Sequence, residues 1–139
     1  MMLATYCHAP ATSGAPSKAA VQGVRESLYA SAFNALRHGD SAGAERYFGL
    51  MAAVGPFDER VWLGLGVIRE QRGDWVKAAG LYGLARSVNP GSLFGRLGGA
   101  RVAIRQGRLQ RAEVLLDQAE SLTEDPVVCS AISQLRRAL

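Results

Sequence analysis

The sequence predicts an all-α fold made of three successive helical hairpins, and three observations predict it. Gly39, Gly73 and Gly107 stand 34 residues apart. Their neighbours repeat in the same register: Ala32, Gly66 and Ala100; Ala44, Ala78 and Ala112; Phe48, Tyr82 and Leu116; Pro56 and Pro90. Between the glycines, apolar residues recur every three or four positions, the spacing that gives a helix one buried face. Small residues at fixed places let paired helices approach closely, and a glycine accepts the left-handed turn that reverses the chain between them.

The elements follow in order. Residues 1–17 are rich in Ala, Pro, Ser, Thr and Gly and lack helical spacing, so a flexible tail is expected there; the doubled Met leaves the start at Met1 or Met2 open. Helical spacing begins at Lys18 with Val21, Val24, Leu28, Ala32 and Ala35, and this first helix is expected to end near His38-Gly39. His38, beside a turn glycine, reads as a C-terminal helix cap. Asp40 or Ser41 caps a second helix over 41–54, and Gly55-Pro56 breaks the chain. Asp58 caps a third helix that runs through Arg72 and closes at Gly73. Asp74 caps a fourth over 75–88, ending at Asn89-Pro90-Gly91. A fifth covers 92–106, a sixth 108–122. Asp125 caps a last helix over 126–138, with Pro126 at its first helical position. That helix lies outside the repeat register and reads as the cap a terminal repeat needs, because an uncapped end would leave one apolar face in water.

The middle repeat identifies the hairpin. It reads Trp62-x2-Leu65-Gly66, then Ala78-x3-Tyr82, then Pro90, with Arg69 where the tetratricopeptide pattern carries its first Tyr. The predicted architecture is therefore a right-handed α-solenoid over residues 18–139, with tetratricopeptide repeats at about 25–58, 59–92 and 93–125 and a capping helix at 126–138. Three such hairpins reach the number at which stacked repeats hold a continuous core.

Bulk composition narrows the function classes. Of the 139 residues, 48% are hydrophobic and 20% charged, the balance of an ordinary globular domain. The formal charge is +4, but only Lys18 and Lys77 are lysines and no nucleic-acid recognition motif accompanies the arginines, so no nucleic acid is expected as partner. Cys7 and Cys129 have no CxxC or Cys/His neighbour, which argues against a metal site or a disulfide framework. His8 is isolated. No apolar run approaches a membrane span, and the opening residues lack the charged and apolar regions of a secretory signal, so a cytoplasmic protein without stable membrane insertion is expected. No G-x-S-x-G, P-loop or HExxH motif is present, and Glu113 and Asp117, four apart on an outer helix, read as salt-bridged surface. The expectation is a binding protein, neither an enzyme nor a holder of a cofactor or metal.

One stretch is more particular than the repeat. Leu28, Tyr29, Ala32, Phe33 and Gly39, then Ala44 and Phe48, are followed by Phe57-Asp58, Leu63-Gly64-Leu65-Gly66, Arg69, Gln71, Gly73 and Trp75. This pattern resembles the class II chaperones of type III secretion translocators, the SycD/LcrH/IpgC family, whose members carry an LYxxAFxxYxxG start, an A-x3-F and a YD…LGLGxxRQxxGxY run. The likeness covers about residues 25–122. It implies a bacterial cytoplasmic chaperone, a virulence-linked protein that keeps a hydrophobic translocator-like client soluble and secretion-competent. The resemblance leads one to expect the family's longer N-terminal helical region, often involved in self-association, to be missing or replaced here, and the chain is basic where the family is commonly acidic. A homodimer is left open. Two other readings stay beside the first: a repeat chaperone for a needle subunit, and an assembly adaptor within a secretion or other multiprotein complex.

The first helix of each hairpin lines the concave face of such arrays, and steps of three or four residues along it select one stripe per repeat. Repeat one offers Tyr29, Phe33 and Leu36. Repeat two offers Arg60, Leu63 and Val67, and repeat three offers Phe94, Leu97, Arg101, Ile104 and Arg105. The expected result is an apolar trough edged by arginines, suited to an extended segment with spaced apolar anchors.

Overall fold

The computed structural model describes residues 14–139. Most of the tail expected at 1–17 lies outside the described residues, and so do Cys7 and His8. Seven helices follow one another: α1 (Lys18–Arg37), α2 (Ser41–Val54), α3 (Glu59–Gln71), α4 (Trp75–Val88), α5 (Leu93–Arg105), α6 (Leu109–Ser121) and α7 (Pro126–Arg136). The described residues form an all-α helical-repeat solenoid. Each helix ends within a residue or two of its sequence expectation. The last stops at Arg136 rather than 138.

The 34-residue ladder has a local cause. Gly39, Gly73 and Gly107 have φ of 75°, 75° and 73°, the left-handed region that favours glycine. At each, the glycine N–H donates three residues back, and the following N–H donates five residues back: Asp40 to Ala35, Asp74 to Arg69 and Arg108 to Ala103, at 2.9, 2.9 and 2.8 Å. This Schellman pattern satisfies the carbonyls that a helix end leaves free. The residue that closes one helix then starts the next. Asp40 accepts from the Gly43 N–H at 2.9 Å and Asp74 from that of Lys77 at 3.3 Å. Arg108 stands at the third such place and makes no side-chain cap. His38 caps as expected, with Nδ1 2.8 Å from the Asn34 carbonyl oxygen.

Helices α1/α2, α3/α4 and α5/α6 form the hairpins. The second helix of each packs on the first helix of the next, and α7 covers α5 and α6. The junctions are built from aromatic rings entering glycine gaps. Phe48 on α2 is 2% exposed, and a Cβ at Gly64 on α3 would lie 2.2 Å from its ring. One repeat later Tyr82 on α4 is 1% exposed, and a Cβ at Gly98 on α5 would lie 2.4 Å from its ring. Leu116 takes the third place and packs in one cluster with Ile132 of α7. The same spacing, continued into α7, gives the capping helix its seat.

Candidate functional site

The first helices of the three hairpins bring Tyr29, Phe33 and Leu36 of α1, Arg60, Leu63 and Val67 of α3, and Phe94 and Arg101 of α5 to one groove of about 330 Å³. Eight of the eleven residues selected from the sequence thus share a single surface. Phe33 and Phe94 are 49% and 63% exposed, so large apolar area faces solvent at both ends of it. An array that leaves such side chains uncovered on a concave wall has surface to offer a partner.

The other three fall elsewhere. Leu97 is a correction: it is 6% exposed and packs with Ala100, Leu115 and Ile132, on the side of α5 that meets α6 and α7. Ile104 and Arg105 line a neighbouring depression with Gln71, Trp75, Gln134 and Leu135, where the Arg105 guanidinium stands 5.6 Å from the Trp75 ring centre. Arg101 borders both spaces. Sequence reasoning also missed the floor of the groove. Phe48 and Tyr82 reach it from the second helices beside Gly64. Their signal was present as a constant offset between aromatic and glycine, Phe48 to Gly64 and Tyr82 to Gly98.

Both arginines at the groove are held by acids. Arg60 donates to Asp58 at 2.7 Å and to Glu26 at 2.8 Å, tying α3 to α1, and its guanidinium lies 4.4 Å from the Tyr29 ring centre. Tyr29 and Phe33 stand 6.2 Å apart, ring centre to ring centre. Arg101 makes two bonds to Glu70, at 2.9 and 3.1 Å, and the Tyr82 hydroxyl donates to the same carboxylate at 2.7 Å. Burial disfavours the Glu70 charge, yet the bonds from Arg101 and Tyr82 outweigh it and lower the pKa. Burial, then the Glu70 carboxylate, pushes the Tyr82 hydroxyl up. This network keeps Tyr82 protonated and Arg101 fixed at the border of the two depressions.

Asp58 carries a testable stability term. It also accepts from Arg25 at 2.9 Å and from the Arg60 backbone N–H at 3.1 Å, which makes it the cap of α3. Burial raises its pKa, but the hydrogen bonds from Arg60 and Arg25 overcome that and bring it from 3.8 to about 2. A depressed carboxylate stabilises the fold above its unfolded pKa and loses that contribution as pH falls toward its folded one. The shift corresponds to about 2 kcal/mol, present at neutral pH and lost between about pH 4 and 2. Asp58→Asn is therefore expected to lower stability by about 2 kcal/mol at pH 7 and to flatten the acid limb of the stability curve. Urea titrations at pH 7 and 3 check this, and an equal loss at both values counts against it.

Among the described residues no helix is long and apolar enough to cross a membrane. No three His, Cys, Asp or Glu side chains converge there as a metal site would require.

No family model matches the chain, and no curated protein matches it by sequence. Solved structures do. The type III secretion translocator chaperone SycD of Yersinia enterocolitica superposes with a TM-score of 0.74 at 25% identity, over 81% of this chain and 81% of that one. The same chaperone in complex with a peptide of the translocator YopD gives 0.71 at 24% identity, over 81% and 92%. An O-GlcNAc transferase of Thermobaculum terrenum gives 0.79 at 24% identity over 90% of this chain, which spans only 23% of that enzyme. One repeat fold thus serves a small chaperone and a segment of a large enzyme, as expected when function resides in the surface rather than the fold. The likeness read from the LGLG stretch holds in three dimensions: the chain has the tetratricopeptide-repeat fold of the type III secretion translocator chaperones.

Proposed function

We propose that the protein is a chaperone of a type III secretion translocator, holding a short, extended, partly apolar segment of its client in the groove between Tyr29 and Phe94. The observation that carries this reading is the groove itself. Three successive first helices line up Phe33, Leu63 and Phe94 as uncovered or half-covered apolar walls, with Arg60 and Arg101 fixed beside them. Spaced apolar walls accept alternate side chains of an extended segment, while Arg60 and Arg101, already paired with Asp58, Glu26 and Glu70, hold those walls in place. SycD, which has this fold, has been solved with a translocator peptide. Binding would cover the client's apolar segment in the bacterial cytoplasm before export and requires no chemistry from the chaperone.

Co-expression tests the reading. A hydrophobic secreted protein encoded beside this one is expected to become soluble and to co-purify with it, and to aggregate when expressed alone. If neighbouring secreted proteins stay insoluble with and without this chain, the reading fails. A client segment that binds only as a helix favours the needle-subunit alternative.

A further inference from the structure

Seven arginines among the described residues are half-buried, and five of them meet a carboxylate. Arg25 and Arg60 pair with Asp58, Arg69 with Glu45, Arg101 with Glu70, and Arg136 with Asp117 and Glu120. Arg86 and Arg96 are the exceptions, and they are neighbours. Arg86 donates to the Gly95 carbonyl at 3.0 Å and Arg96 to that of Ser92 at 2.9 Å, but neither meets an acid. The Arg96 Nε is buried without an acceptor, as is that of Arg25, but Arg25 still reaches a carboxylate through Nη2. Residues 1–13 contain no Asp or Glu, so they hold no acidic side chain to supply one. Burial, with the like charges of Arg111 and Arg96, holds the Arg86 guanidinium below its ordinary pKa.

The unpaired charge opens on a furrow. A space of about 280 Å³ between α4 and α6 is lined by Arg86, Arg108 and Arg111, with Gly80, Gly99 and Ala103 among them. Helix α5 leaves room for Arg86 there: a Cβ at Gly99 would stand 2.6 Å from its Nη1, and one at Gly95 3.1 Å from its Cγ. Glu113 stands two residues from Arg111 on α6 and does not face it, since residues two apart on a helix point in different directions. Charges taken out of water are ordinarily paired, and this one is left for something outside the chain.

We propose that this furrow, on the side of α5 away from the client groove, docks an acidic segment of a second protein. The cations are spread over two helices, which suits several carboxylates along a chain better than one compact anion. The small residues between them allow a backbone to approach. Guanidinium groups bind carboxylates through paired N–H donors, and Arg108 and Arg111, both exposed, are free to do so. The proposal stands apart from the client reading, because Arg86, Arg108 and Arg111 do not line the client groove.

The full chain titrated with fluorescein-labelled octaglutamate, a neutral Gly-Ser peptide of equal length and an eight-nucleotide RNA tests it by anisotropy. Octaglutamate is expected to bind more tightly than either competitor, with affinity falling as salt rises. Arg108→Glu with Arg111→Glu is expected to weaken it about tenfold or more. The double variant Arg46→Glu with Arg137→Glu changes net charge equally at exposed sites elsewhere and is expected to weaken it by less than about twofold. If circular dichroism shows the first pair to be unfolded, Arg108→Gln with Arg111→Gln replaces it. Equal losses in the two double variants, tighter binding of RNA, or no preference over the neutral peptide would overturn the proposal.

Discussion

One methyl group added at Gly64 is expected to destabilise the protein by about 2 kcal/mol and to weaken client binding at the same time. Alanine favours a helix over glycine by about 1 kcal/mol, so the substitution would stabilise α3 if nothing stood in its way. Here the new carbon would lie 2.2, 2.4 and 2.6 Å from three atoms of the Phe48 ring, well inside contact distance. Phe48 is 2% exposed, so its ring cannot swing freely, and overpacking of this kind typically costs about 1–3 kcal/mol or more. The clash outweighs the propensity gain. The open space beside the ring is the proposed client groove, which Phe48 already borders. A displaced ring would enter it and occupy the place of a client side chain. Thermal melts should show a fall of about 5–10 °C for Gly64→Ala. Phe48→Leu in that background should recover part of the loss, although alone it destabilises; such a sign reversal is the mark of direct coupling. A Gly64→Ala protein as stable as the parent would show that this junction is loosely packed.

The same junction shows how much could be read from the sequence. The turn glycines and the caps Asp40, Asp58, Asp74 and Asp125 are local devices. Their chemistry is decided within a few residues, so period and identity were enough to place seven helices. The groove was legible where side-chain direction follows from helical spacing alone, as for Tyr29, Phe33, Leu63 and Phe94. It was not legible where a second contact decides. Leu97 sits in the register of the groove stripe, but α7 packs against that part of α5 and the side chain joins the core with Ile132. Ile104 and Arg105 belong to a separate depression for a similar reason, because Gln134 and Leu135 of α7 complete it. The capping helix lies outside the repeat, so no repeat position announces what it covers. Arg101 reads in sequence only as an edge of the trough; the folded chain brings Glu70 and Tyr82 to it.

Removing the two exposed rings of the groove, by Phe33→Ala with Phe94→Ala, is expected to weaken a client segment by about 10²–10³-fold while leaving the fold intact. Aromatic anchors in such surfaces contribute about 2 kcal/mol each, or about 30-fold in affinity. The two rings belong to repeats one and three, so a single extended segment would touch both, and their losses should add approximately. Exposures of 49% and 63% mean that neither ring supports much of the core, so circular dichroism and melting temperature should change little. Tyr29 is a poorer choice for this purpose. It packs against the first core cluster and stacks under Arg60, and its truncation would disturb the α1–α3 contact as well as the surface. Phe57 supplies the control. It is 85% exposed and apolar but lies in the α2–α3 turn, outside the groove. If stickiness alone retained the client, Phe57→Ala would weaken binding as much as Phe33→Ala. If the groove retains it, Phe57→Ala would be silent in calorimetric titration with a client peptide. Equal losses at the two sites, or no loss from the double substitution, would remove the groove as the binding surface, leaving the convex face and the arginine furrow as the surfaces through which the protein acts.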